Sequence, residues 1–196
     1  MLPLLAVLLA LTPHQARSRP EGSSITLEGH VTVPSGIFAS FMGDNGFVLG
    51  DHITGIYVAT DNRGYRSMGS AVEVTGTLAD NGHGMLILRA RAIRPQKGRS
   101  LFKPWPQERA ALGEFYEGKI VRTEGEVLRL TSDLPYGHKL FLRHAGGELQ
   151  VFLPPGTRPA EALLAPGRRL QVTGFCAQYD KVYEIVVRSA KDVIAP

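Results

Sequence analysis

The sequence of 196 residues contains a single cysteine, Cys176. One cysteine excludes an intramolecular disulfide and any metal cluster held by several cysteine ligands. Because Cys176 follows a predicted strand and no neighbouring histidine or basic residue in the sequence would activate it, we expect a small buried side chain and not a reactive thiol.

The chain also lacks an apolar run long enough to cross a membrane as a helix. Its apolar stretch at residues 2–11 ends before Pro13 and is shorter than the roughly 20 residues that a bilayer requires. The stretch is typical of a secretory signal with Ala16 before the cleavage point, so we expect an extracytoplasmic protein, periplasmic or secreted. No basic residue precedes the stretch and His14 fits the cleavage site poorly, so a disordered or partly packed N-terminal arm is the alternative.

Charge of one sign is not concentrated in either half of the chain. The formal net charge is +4, but residues 21–98 hold six Lys or Arg against seven Asp or Glu. Residues 99–196 hold fourteen against eleven, and no run of basic residues forms an obvious stripe for a phosphate backbone. Composition alone therefore does not predict a nucleic-acid partner.

Signatures of common enzyme classes are absent from the sequence as well. It contains no Gly-x-Ser-x-Gly, Walker loop or dinucleotide fingerprint, and the histidines and aspartates lack metal-ligand spacing. We predict a binding protein with no catalytic residues, no metal and no cofactor. An enzyme, such as a secreted nuclease on the same fold, would need three side chains to converge from this set: His30, Asp44, Asp51, His52, Asp61 and His83.

Two short phrases occur twice in the chain. Glu-Gly-x-Val lies at residues 28–31 and 124–127, and Gly-x-x-[Val/Leu]-x-Val-Thr-Gly lies at residues 69–76 and 167–174. The distance between the phrases is nearly the same in both copies. This pattern predicts an internal duplication with two similar domains in tandem.

Alternation of apolar and polar residues predicts five strands in each copy. The second copy also has a short helix, at residues 159–165, between its third and fourth strands. Another short helix is predicted at residues 106–112, because it begins with a proline and a glycine follows it. The predicted divisions are a leader (1–22), a first domain (23–95), a linker with its helix (96–118) and a second domain (119–196).

This element order resembles the OB-fold, a five-stranded Greek-key barrel whose long first strand bends at a glycine. The predicted fold is all-β with short helices, arranged as two tandem OB-like barrels. The second copy also resembles a domain in the extracytoplasmic regions of bacterial sensor histidine kinases, which implies a sensory or interaction module. The stretches that carry this second resemblance are residues 116–125, 153–154, 172–176 and 188–193.

OB-folds bind ligands on the outer face of strands two and three, so this face of the second copy is the candidate site. Its outward side chains place aromatic rings between cations, which suits a single-stranded nucleic acid, an oligosaccharide or a protein partner. The alternative is that the face packs against the linker helix or the other domain. The candidate residues are Lys139, Phe141, Arg143, Gln150 and Phe152, with Tyr136 and Tyr179 on the flanking loops.

The matching face of the first copy carries almost no charge. For this reason we expect it to be buried or to contact protein. Its residues are Val48, Gly50, Gly55 and Tyr57, flanked by Phe38, Phe41 and Met42.

Overall fold

The computed structural model describes residues 9–107 and 111–196. Its first five strands are β1 (Ser24–Val33), β2 (Phe47–Gly50), β3 (Gly55–Ala59), β4 (Ser70–Asp80) and β5 (Leu86–Arg99). They form a closed barrel in the order β1-β2-β3-β5-β4. The β3–β5 pair is parallel and the other pairs are antiparallel, which is the strand arrangement of an OB-fold.

The second half of the chain repeats this arrangement. Its strands are β6 (Trp105–Pro106), β7 (Ile120–Asp133), β8 (Gly137–His144), β9 (Gly147–Leu153), β10 (Arg169–Tyr179), β11 (Val182–Val186) and β12 (Val193–Ile194). Pairing between β7 and β10 closes the ring β7-β8-β9-β11-β10, while β6 and β12 add to its edges. The prediction of an all-β fold with two OB-like barrels is therefore confirmed.

Helices in the described residues are short. They are α1 (Pro13–Ala16), α2 (Ala39–Met42) and two 3-10 turns, at Glu161–Leu163 and Ala190–Asp192. The first of these turns lies inside the helix predicted for residues 159–165. The helix predicted for residues 106–112 crosses residues 108–110, which lie outside the described residues, and Pro106 at its start belongs to β6.

The duplicated glycine of the first strand has the same function in both barrels. A Cβ at Gly29 would lie 2.7 Å from the carbonyl oxygen of Gly50, and one at Gly125 would lie 2.9 Å from that of Arg143. In each strand the register shifts at a β-bulge that begins two residues later, at Val31 and at Val127. Glycine therefore permits the close approach at which the long strand bends.

The N-terminal arm is packed against the first barrel from Leu11 onward. Leu11 pairs in parallel with Leu27, its amide donates to the carbonyl of Thr26, and Ala16 is fully buried in the first barrel's core. The described part of the predicted leader therefore contributes to the fold. Among the described residues, no helix has the length and apolar character needed to cross a membrane.

Candidate ligand-binding face of the second barrel

The outer face of β2 and β3 in the first barrel is covered by the second barrel. Val48 and Tyr57 are fully buried and belong to one apolar cluster with Phe175 and Val186 of the second barrel. Phe38 lies between the two barrels, with its ring centroid 5.0 Å from that of Tyr57 and 5.6 Å from that of Phe175. The expectation that this face is buried is confirmed, so it is closed to a ligand.

A buried ion pair stabilises the contact between the barrels. The Arg17 guanidinium lies 2.6 Å from the Glu117 carboxylate, and their side chains are 17% and 2% exposed. Glu117 also accepts a hydrogen bond from the Leu86 amide of β5, at 3.4 Å. Burial raises the pKa of Glu117, and the ion pair with Arg17 opposes this rise. Arg17 therefore joins the N-terminal arm to the second barrel.

Two glycines allow the backbones of the barrels to approach at the same place. A Cβ at Gly55 would lie 2.9 Å from the carbonyl oxygen of Gly118, and a Cβ at Gly118 would clash with the carbonyl oxygen of Gly55. Gly118 also has a φ of +82°, which side chains strongly disfavour. Close packing therefore fixes one relative position of the two barrels here.

Two of the seven candidate residues take part in this contact. Phe152 is 4% exposed, and its ring packs edge-on against that of Phe41 with centroids 5.0 Å apart. Tyr179 stacks on His83 of the first barrel with centroids 4.1 Å apart, although it stays 53% exposed. For Phe152 the structure thus supports the alternative of domain packing, and its ring is not available to a ligand.

The other five candidates form a surface that we call the open face: Tyr136, Lys139, Phe141, Arg143 and Gln150. The strand register places Phe141 opposite Gln150, and Lys139 and Arg143 flank Phe141 along β8. Tyr136 is 48% exposed at one end, and the adjacent Leu134 is 72% exposed. The backbone carbonyl of Tyr136 accepts a hydrogen bond from Ser40 of the first barrel, which positions this loop.

Cations on and beside the open face are paired with carboxylates. Lys139 Nζ lies 3.0 Å from Asp133, and an Arg143 nitrogen lies 3.9 Å from Glu126. Arg129 of β7 covers the Phe141 ring at 3.8 Å and forms two hydrogen bonds with Glu148. The positive charge that a phosphate backbone would need is therefore already compensated.

A buried carboxylate lies behind the open face. Glu184 on β11 is 7% exposed, and its carboxylate accepts a hydrogen bond from Gln150 at 2.6 Å. Burial raises the pKa of Glu184, while Gln150 and the nearby Lys139 oppose the rise. This carboxylate further reduces the attraction of the face for an anion.

Sequence reasoning missed both Arg129 and Glu184. Arg129 follows the bulge at Val127, which breaks the simple two-residue alternation of outward and inward side chains. Glu184 comes from β11, which pairs with β9 only after the barrel closes. Recognition of a bulge after the Glu-Gly-x-Val phrase would have been the one available signal for Arg129.

A groove of about 1110 Å³ lies on the second barrel between β6, β7 and β10. Its lining includes three arginines and two glutamates, and Arg169 lies 3.5 Å from Glu124. None of the seven candidate residues except Arg143 lines this groove. Charged side chains contribute much of this lining, whereas small-molecule pockets are lined predominantly by hydrophobic side chains.

Among the residues that the structure describes, no three histidine, cysteine, aspartate or glutamate side chains form a group suited to a metal ion. His30 and His52 both contact the Phe102 ring, whereas His83 contacts Asp180 of the second barrel. Cys176 is fully buried, as expected, and burial raises its pKa. Within the described residues, the structure therefore shows no three such side chains that converge on one site, as the enzyme alternative requires.

No family model and no curated protein matches this chain. The hypothetical protein ygiW from E. coli has a similar structure over 45% of this chain and 90% of its own, with 20% identity and a TM-score of 0.36. The p204 HINb domain is similar over 89% of this chain and 96% of its own, with 12% identity and a TM-score of 0.35. The tetrameric p202 HIN2 has 10% identity over 85% of this chain and 88% of its own, with a TM-score of 0.36. At these values the similarities assign no function.

Proposed function

We propose that this protein is a non-catalytic binding module that acts outside the cytoplasm and holds a protein partner on the open face. The observation that carries this proposal is charge compensation around an accessible aromatic ring. Exposed Tyr136 and Leu134 supply apolar surface beside the half-buried Phe141. Lys139 and Arg143 each face a carboxylate. Protein interfaces commonly combine aromatic anchors with a polar, charge-balanced rim.

A single-stranded nucleic acid is a weaker candidate for this face. Such a ligand needs cations free to meet phosphates, together with rings on which bases stack. Here Arg129 occupies one side of the Phe141 ring, and Phe152 lies between the barrels. An oligosaccharide would also have to stack on the Phe141 ring, which Arg129 covers on one side.

The extracytoplasmic location is supported by the apolar stretch at residues 2–11 and by the sensor-kinase resemblance of the second copy. A cut after Ala16 would remove Leu11 and Ala16 from the first barrel, so the packing of these residues favours the alternative of a packed N-terminal arm over cleavage at this position. Cell fractionation of the host, with mass spectrometry to detect the protein in each fraction, tests the location. An exported protein is expected in the extracytoplasmic fraction. Recovery of the protein in the cytoplasmic fraction alone would contradict it.

Site-specific photo-crosslinking in the host tests the binding face. A benzophenone amino acid at Tyr136 is expected to give one discrete protein adduct, and Phe141→Ala should weaken it. The matched control is the same probe at Ile194, which is 46% exposed on β12, away from the open face. Equal adduct yields at both positions, or an adduct yield that Phe141→Ala does not change, would refute the proposal. Salt-sensitive binding of a short oligonucleotide that Phe141→Ala abolishes would instead support nucleic acid.

A further inference from the structure

A second surface, on the first barrel, carries positive charge that is mostly uncompensated. Residues 81–107 contain six Lys or Arg and no Asp or Glu. Five of these cations lie on β5, and every one of them is exposed. We call this set the β5 cations: Arg89, Arg91, Arg94, Lys97 and Arg99.

Few of the β5 cations have an anionic partner. Arg94 lies 3.4 Å from Glu73 in an exposed pair, and Arg99 donates to the carbonyl oxygen of Met68 at 2.8 Å. Within the described part of the chain, Arg89, Arg91 and Lys97 form no ion pair. Exposed cations that are close together create a local positive potential, which attracts anions. These three cations therefore differ from Lys139 and Arg143 of the open face, each of which lies near a carboxylate.

Strand pairing places Arg89 and Arg94 on the outer face of the first barrel, and Arg91 lies at a β-bulge between them. Leu88, Ala90 and Ile93 of β5 pack into the first barrel, so the arginines between them face outward. Across β4 and β1 the same face carries the hydroxyl side chains of Ser24, Thr26, Thr75 and Thr77, together with the carboxylates of Glu28 and Glu73. The guanidinium groups of Arg89, Arg91 and Arg94 extend beyond the short hydroxyl side chains, so these three can contact an anionic surface together.

Apolar side chains lie beside the end of this array. Tyr65 is 70% exposed and lines a shallow cleft with Pro95 and Arg99, and Leu101 is 71% exposed two residues beyond Arg99. A tyrosine and a leucine beside a row of cations are the side chains that interact with the headgroup region of a bilayer. The array extends over eleven residues of strand, about 33 Å from the first to the last, which suits an extended surface and not a single small anion.

We propose that the β5 cations, with Tyr65 and Leu101, dock the protein on the surface of an anionic phospholipid membrane. The phosphate groups of the lipids supply the charge that the chain itself does not supply. An anionic leaflet attracts each nearby Lys or Arg, and the attraction decays over a Debye length. This surface is separate from the open face, so a docked protein can still present the second barrel to a partner.

Vesicle flotation tests this proposal with the full chain. The protein is expected to float with phosphatidylcholine vesicles that contain phosphatidylglycerol, and not with pure phosphatidylcholine vesicles. The triple variant Arg89→Gln, Arg91→Gln, Lys97→Gln should lower binding by on the order of 100-fold at low salt. Tyr65→Ala is expected to weaken the binding that persists at high salt, because that part is apolar.

The matched control removes three exposed cations from the second barrel: Arg158→Gln, Arg168→Gln and Lys181→Gln. Both triple variants have the same net charge, so only the control should keep the wild-type affinity. Equal losses in the two triple variants, or no loss in the β5 variant, would overturn the proposal.

A short single-stranded oligonucleotide is the competitor ligand. If the protein binds this oligonucleotide more tightly than the anionic vesicles, and Tyr65→Ala abolishes that binding, the membrane proposal is wrong and the surface binds nucleic acid.

Discussion

The ion pair between Arg17 and Glu117 makes the contact between the barrels sensitive to one substitution. Replacing Arg17 by methionine keeps much of the side-chain volume but leaves a 2% exposed carboxylate without its cation. Removal of one partner of a buried pair commonly costs 3–5 kcal/mol. Because the Arg17 side chain is 17% exposed, we expect the low end, about 3 kcal/mol of unfolding free energy near pH 8.

This cost is expected to depend on pH. Burial already raises the pKa of Glu117 in the folded protein, and loss of Arg17 would raise it further. A folded-state pKa above the unfolded value stabilises the fold at pH values below the unfolded pKa, where the carboxyl is neutral in both states. That contribution is lost as the pH rises through the folded pKa. The Arg17→Met variant should therefore be closer in stability to the wild type near pH 4 than at pH 8.

Urea unfolding of the wild type and the variant at the two pH values measures this difference. Arg129→Met is the control, since its partner Glu148 is exposed and exposed pairs contribute little. We expect the control to change stability slightly and by a similar amount at both pH values. If Arg17→Met costs no more than Arg129→Met, or costs the same at pH 4 and pH 8, the buried pair does not stabilise the contact as argued.

The remaining predictions concern packing. Phe38→Ala should lower the unfolding free energy in urea by about 3–5 kcal/mol, because it leaves a cavity between the barrels; a loss below about 1 kcal/mol would show that the contact is loose. Gly118→Ala should destabilise the protein, since its Cβ would meet the backbone of Gly55 at a positive φ; a melting temperature equal to the wild type would contradict this. Deletion of residues 1–16 should lower the melting temperature, because Ala16 leaves the core. Cys176 should resist thiol reagents near neutral pH until the protein unfolds, because burial raises its pKa.

The two repeated phrases predicted the architecture because their residues act locally. Glycine at positions 29 and 125 has no Cβ, so the first strand of each barrel can bend close to the backbone of its neighbouring strand. Alternating apolar residues fill each barrel, so period-two patterning predicted the five main strands of each copy. The near absence of charge on the β2–β3 face also predicted its burial, since an apolar outer face must be covered.

The candidate site could be predicted only in part, because its availability depends on contacts between residues distant in sequence. Phe141 and Phe152 are equivalent in the alternation pattern, yet docking of the barrels leaves the first accessible and covers the second with Phe41. The pairing of Lys139 with Asp133 likewise needs the turn between β7 and β8 to close.

The sequence by itself determined the duplication, the strands and the apolar alternation, because these depend on neighbours a few residues apart. Only the tertiary structure decided which outer faces stay open and which charges are compensated. The cations of residues 89–99 alternate with apolar residues, so they form no run in the sequence, yet β5 brings them to one exposed strand. Folding brings carboxylates to the cations of the second barrel but leaves Arg89, Arg91 and Lys97 without an ion pair among the described residues. Charge compensation is set by distances of a few ångströms between strands, and a linear sequence does not contain those distances.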